Sequence, residues 1–249
     1  MSAPVRIVGS YVSPYVRKVL VFLHEKRIPY EIDPIVPFHG DDRFSALSPV
    51  RRIPVLIDDR VTLCDSSVIC QYLEDRYPEP ALYPRDVADR ARARWLEEFA
   101  DTRMGEVFIW RFFNQLVIRR FVWGEAPDEA LVEKTCREDI PAVLDYLESL
   151  LPERGFAFGA LSIADVSIAA FFRNAAFAGF AIDAARWPRT ASFVARVLAL
   201  ESFQRLVPFE EKSMRVPIAK QREAVAAIGA PVSAESFFRA TPRRGVLSI

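Results

Sequence analysis

Arg51–Leu73 reads RRIPVLIDDRVTLCDSSVICQYL, and the fold turns on this stretch. Val55-Leu56-Ile57 is a short apolar strand bounded by Pro54 and by the polar pair Asp58-Asp59. Val61-Thr62-Leu63 is a second strand, which makes Asp58-Asp59-Arg60 a hairpin turn. Asp65-Ser66-Ser67 then precedes Val68, Ile69, Tyr72 and Leu73 at helical spacing, a helix start. The first turn of such a helix carries unpaired N–H groups and the positive end of a dipole, a ready site for a carboxylate. An ordinary Asp or Ser cap needs the same residues, so the stretch alone leaves both readings open.

Upstream, Val5 to Val8 alternates through Arg6 as a first strand. Ser13 is placed to cap a helix with Pro14 at its first position, and Val16, Val19, Leu20 and Leu23 give that helix an apolar face. Tyr30–Val36 is a strand interrupted by Pro34, and residues 37–50 are a polar loop with one helical turn near Phe44. The order β-α-β, loop, β-β-α is thioredoxin-like. Oxidoreductases of that fold carry CxxC at the first strand-to-helix turn, where this chain has Ser13-Pro14-Tyr15-Val16, so a dithiol mechanism is excluded. A hydroxyl at a helix start can instead donate to an anion brought in by a ligand.

Composition sets the outer bounds. The chain has 249 residues, 51% hydrophobic and 27% charged, with 33 basic against 33 acidic side chains. No global field therefore draws it to nucleic acid or to a membrane. The three cysteines, Cys64, Cys70 and Cys136, suit a reducing compartment better than a disulfide framework. MSAPVRIVGSYVSPY lacks the apolar core of a signal peptide, so a soluble cytoplasmic protein is expected, and no metal-ligand cluster is read.

A strand opened by Ile53-Pro54-Val55, a hairpin, then Asp65-Ser66 at a helix start resembles the glutathione-binding half of cytosolic glutathione transferases. The resemblance implies a cis Pro54 and backbone pairing of glutathione with Val55, beside Ile53. It also implies an Asp65-Ser66 pair holding the γ-glutamyl group. Ser13-Pro14-Tyr15-Val16-Arg17-Lys18-Val19 resembles the active-site segment of the serine-type members, which makes Ser13 the thiol activator; Tyr11 and, behind it, Ser10 are rivals. His39 and Arg52 match positions that reach the glycine carboxylate, and a guanidinium suits a carboxylate. Two departures stand out: the family usually has Gly where Arg51 stands and a basic residue where Gly40 stands.

Proline-rich Pro78–Pro84 reads as a linker, beyond which residues 87–122 and 128–151 carry helical periodicity. Val107–Phe113 is apolar nearly all round, so it is core or lines a pocket. The resemblance makes Phe108, Trp110, Phe112 and Phe113, together with Tyr11, candidate walls for an apolar electrophile. Glu97, Glu98 and Asp101 read as a solvated face pairing with Arg94 or Arg103, or, as the resemblance implies for some classes, as acids that reach the glutathione amine across a dimer interface. Ser162 with Asp165 three residues on is a capping box opening a buried helix, and the segment resembles the one that starts the central helix of the family's C-terminal domain.

The expected organisation is therefore a thioredoxin-like domain over 1–78, a linker over 79–86, an all-helical domain over 87–207 and an extension over 208–249. Residues 219–228 suit one more helix, and Phe237-Phe238 either tuck against the active-site mouth or a partner subunit or belong to a disordered end. The function implied is activation of the glutathione thiol for attack on an apolar electrophile, in a homodimer. A non-catalytic binding or interaction module on the same fold is the alternative.

Overall fold

Short apolar strands bounded by turns and helices with marked caps are what the sequence calls for, and both are found. The computed structural model describes residues 4–244. They group into two units, one formed by the chain up to Pro80 together with the chain from Glu201 onward, the other by Ala81–Leu200.

The first unit is built on a four-stranded sheet in the order β2-β1-β3-β4, with β1 at Val5–Val8, β2 at Tyr30–Asp33, β3 at Val55–Ile57 and β4 at Thr62–Cys64. β1 pairs parallel to β2 and antiparallel to β3, and β3 pairs antiparallel to β4. Helix α1, Pro14–Glu25, joins the two parallel strands. Its face of Val16, Val19, Leu20 and Leu23 is fully buried, as the i, i+3, i+4, i+7 spacing requires. A short helix α2, Asp42–Leu47, interrupts the loop before β3, and α3, Ser66–Arg76, closes the β-β-α half.

The C-terminal stretch belongs to this same unit. Helices α9 (Glu201–Gln204), α10 (Val207–Arg215) and α11 (Ile218–Ala226) lead into a segment that lies along β2. The Ile32 N–H donates to the Pro231 carbonyl at 2.8 Å, and the Ser233 N–H donates to the Ile32 carbonyl at 2.9 Å. An edge strand with unpaired backbone groups is a liability, and here the chain's own end covers it. Phe237 is buried, with the Arg43 guanidinium over its ring, so this segment packs on its own unit. The helical unit ends at Leu200, seven residues before the boundary expected at 207, because the chain beyond that point packs against α1.

In the second unit α4, Val87–Phe99, runs on without a break through Ala100–Trp123 in a wider winding. Helices α5 (Glu129–Lys134), α6 (Ile140–Leu150), α7 (Ile163–Phe177) and α8 (Pro188–Leu198) complete it. α7 is apolar on nearly every face and sits at the centre, as an all-round hydrophobic helix must. Its capping box forms as read: Asp165 accepts from the Ser162 N–H at 2.8 Å, and its other oxygen accepts from the Ala157 N–H at 2.7 Å. Among the described residues no helix is long and apolar enough to cross a membrane.

Candidate functional site

Sheet register decides which segments meet. Val8 ends β1 and lies opposite Val55, the first residue of β3. Val55 in turn lies opposite Cys64, the last residue of β4. On the other flank Val8 pairs with Asp33, the end of β2. The segments Gly9–Ser13, Ile53-Pro54, Asp65-Ser66 and the loop after Asp33 therefore all emerge at one end of the sheet. Strands lie about 4.8 Å apart, so four of them place these segments within about 15 Å laterally. The N-termini of α1 and α3 both open at this end.

Each piece has a local cause. Gly9 carries φ +152°, and a Cβ there would meet Val16 Cγ2 at 2.5 Å and Ile53 Cβ at 3.1 Å, so the α1 turn and the Ile53 segment touch across it. Ser13 caps α1, its Oγ accepting from the Val16 N–H at 3.4 Å, and remains partly exposed. The Ile53-Pro54 peptide is cis, as the family resemblance implied. Asp65 caps α3, its Oδ1 accepting from the Ser67 and Val68 N–H groups at 2.9 and 3.2 Å. Its φ of +78° is a region that L residues rarely occupy. Ser66 opens the helix as a buried residue. Buried Lys18 donates to the Ser67 Oγ at 3.1 Å, tying α1 to the first turn of α3.

Four expectations are corrected by the geometry. Val55 cannot pair with a ligand backbone, because β1 lies on one side of it and β4 on the other. In an antiparallel ladder a residue's N–H and C=O face the same neighbour, so both are used inside the sheet. The backbone of Ile53, one step outside the strand, makes no hydrogen bond to another described residue. Tyr11, the rival to Ser13 and a candidate wall, is 1% exposed, its ring 4.9 Å from that of Phe209. Burial, with Tyr30 beside it, pushes its phenol well above the usual range. Finally, Phe108 and Phe112 are core residues of the helical unit: Phe108 packs on Phe172 at 5.2 Å, and Phe112 meets Phe180 edge-on at 6.3 Å. Phe113 is buried too, and of the four aromatic candidates on that helix Trp110 alone stays half-exposed. Glu97, read as solvated, is buried and accepts from the Tyr83 hydroxyl at 3.1 Å.

The polar corner after β2 is more built than the sequence suggests. His39 is 6% exposed, its Nδ1 lying 3.0 Å from the Arg239 carbonyl and its ring stacked on Phe238 at 5.4 Å. Arg52 is exposed, and its guanidinium makes no hydrogen bond or ion pair with another described residue. Cys64 donates to the Leu47 carbonyl at 3.0 Å, and burial, with Asp65 adding to it, pushes its thiol up, so it is no rival nucleophile. Among the described residues no group of three or more His, Cys, Asp or Glu side chains could hold a metal ion.

Residues 7–81 match the family model of the glutathione S-transferase N-terminal domain. The chain is 30% identical over 209 residues to a GST-like protein of Escherichia coli, YibF, covering 82% of this chain and 98% of that one. The chain belongs to the glutathione S-transferase family. It is also 30% identical to a maleylpyruvate isomerase of a Ralstonia species, covering 77% of this chain and 91% of that one. A solved glutathione S-transferase from Rhodospirillum rubrum superposes with a TM-score of 0.75 at 29% identity, over 81% of this chain and 91% of its own.

The two departures from the transferase pattern explain each other. Arg51 holds φ +51°, the left-handed conformation that a glycine would favour. Its buried guanidinium donates to the carbonyls of Gly40 at 2.9 Å and Pro37 at 3.2 Å and to the Ser45 hydroxyl. A Cβ on Gly40 would fall 2.1 Å from the Phe44 ring. Arg51 thus reaches back to Gly40, where the family resemblance led to the expectation of a basic residue and this chain has no room for one. Sequence reasoning also missed the buried ion pair between Arg17, one turn into α1, and Glu210 of α10. No local pattern signals a pair 193 residues apart.

Proposed function

We propose that this chain is a glutathione transferase that holds glutathione at the strand end described above and activates its thiol with Ser13. The observation that carries the reading is the register Val8–Val55–Cys64, which brings the α1 start, the unpaired Ile53 backbone and the Asp65-Ser66 helix start to one edge. In this reading the Ile53 backbone pairs with the cysteinyl unit and Asp65 with Ser66 holds the γ-glutamyl group. Arg52 meets the glycine carboxylate.

Chemistry then asks little of Ser13. A free thiol titrates near ~8.5, and the thiolate is the nucleophile. A hydroxyl donating to the sulfur at the α1 N-terminus stabilises the anion, and each unit of lowering is worth ~1.4 kcal/mol. The thiol proton leaves to solvent, and the sulfur attacks an apolar electrophile. Transfer, isomerisation, dehalogenation and peroxide reduction all begin from that thiolate. The kinship with an isomerase fits this range. A cytoplasmic homodimer with a detoxifying role belongs to the same proposal.

The test follows thiolate absorbance of bound glutathione against pH in the wild type and in Ser13→Ala. The bound thiol is expected to titrate below ~8.5 in the wild type and to return toward that value in the variant. Identical curves in the two proteins remove Ser13 from the role. A wild-type curve like that of free glutathione points instead to a binding module.

A further inference from the structure

His39 cannot donate to a carboxylate in its neutral form. Its Nδ1 faces the Arg239 carbonyl at 3.0 Å, so the ring hydrogen sits there. Neutral Nε2 is then an acceptor, and an ionised carboxylate has no hydrogen to give it. With the ring in that form, a carboxylate at this corner takes its hydrogen bonds from another donor.

The chain's own C-terminal segment brings one. The Asp41 N–H donates to the Phe237 carbonyl at 2.8 Å, the Arg239 N–H to the His39 carbonyl at 2.7 Å and the Arg243 N–H to the Phe38 carbonyl at 2.9 Å. These bonds, with the Phe238–His39 stack, seat residues 237–243 on the loop that follows β2. Among the described residues the arginines 43, 51, 239 and 243 gather at this corner with Asp41 and Asp42, and Arg52 follows Arg51 in the chain. Arg43 pairs with Asp41, Arg243 pairs with Asp42, and Arg51 is spent on two carbonyls and a hydroxyl. Arg52 and half-exposed Arg239 are left without an ion pair to a described residue. Burial, then the charges of Arg243 and Arg239, hold the Arg51 guanidinium below its usual range, which places both tail arginines close to it. Uncompensated cations gathered at one corner call for an anion.

We propose that Arg239 is a specificity-determining residue, acting with Arg52 to bind the glycine carboxylate of glutathione, so that the C-terminal segment completes the ligand site of its own domain. The proposal rests on the glutathione reading above. It gives the tail a share in a binding task that the thioredoxin-like half alone leaves to Arg52.

The test is calorimetric titration of the wild type, Arg239→Ala and Arg239→Lys with glutathione and with γ-glutamylcysteine, which lacks the glycine carboxylate. Arg239→Ala is expected to weaken glutathione about tenfold and to leave γ-glutamylcysteine within about twofold. Arg239→Lys, which keeps the charge, recovers part of the loss. Equal weakening of both ligands reduces Arg239 to a structural residue, and no weakening of either removes it from the site. Wild type that binds both ligands equally has no carboxylate subsite, which overturns this assignment and leaves the transferase reading standing. Wild type that binds neither overturns both.

Discussion

Glu210→Ala should leave a buried guanidinium without its carboxylate. Arg17 and Glu210 have side chains 0% and 1% exposed, and they link the first turns of α1 to α10. Breaking such a pair from one side costs about 3–5 kcal/mol, because the remaining charge stays buried. For a chain of this size, a loss of 1 kcal/mol lowers Tm by about 2–4 °C, so the variant should melt about 6–20 °C below the wild type. The assay is a thermal melt followed by circular dichroism and by calorimetry, since a chain with two units need not melt in one step. Arg17 also donates to the Val12 carbonyl at 3.4 Å, just ahead of Ser13, so the damage should reach the α1 start. Replacing both partners, as Arg17→Met with Glu210→Leu, removes the stranded charge and should recover most of the loss. A Glu210→Ala shift under about 2 °C, or a double variant no better than the single one, would refute the charge explanation in favour of packing alone.

Other outcomes follow from the same geometry. Gly40→Ala drives a methyl into the Phe44 ring and should cost about 1–3 kcal/mol in a denaturant melt, the overpacking range. Asp165→Ala strips acceptors from the Ser162 and Ala157 N–H groups, a loss of about 1–3 kcal/mol for each donor left buried, read by the same assay. The Asp165 carboxyl is raised above its ordinary 3.8 by burial, so its contribution to folding is fully present below 3.8 and is lost as pH rises through the raised value. The stability of the wild type relative to Asp165→Asn should therefore fall as pH increases from 3.8, and a difference that grows with pH would contradict the assignment. Removing residues 230–249 uncovers the β2 edge and the face of His39 on which Phe238 stacks. That truncation should raise hydrogen exchange at Ile32, whose N–H loses its Pro231 acceptor.

Much of the fold was legible because its signals are local. Pro54, the Asp58-Asp59 turn and the Asp65 cap each act within a few residues, and the strands and helices appear where those signals put them. The Ser162–Asp165 box is local in the same sense. What sequence could not supply is register and long-range pairing. Choosing Ile53 over Val55 requires knowing that β1 and β4 flank β3, and no pattern within Arg51–Leu73 says so. The seating of the tail depends on Asp33, a fully buried carboxylate that accepts from the Phe237 N–H at 2.7 Å and the Ser236 hydroxyl at 2.8 Å, about two hundred residues away. An aromatic run such as Val107–Phe113 is apolar for a core or for a pocket, and only its packing on Phe172 and Phe180 tells which.

The most direct test of the central claim is calorimetric titration of glutathione into the wild type and into Ser66→Ala. The α3 start should bind the γ-glutamyl group, so saturable binding in the wild type should collapse in the variant. Absence of binding to the wild type at millimolar glutathione, or a variant that binds as well as the wild type, would contradict the placement of the ligand at this sheet end.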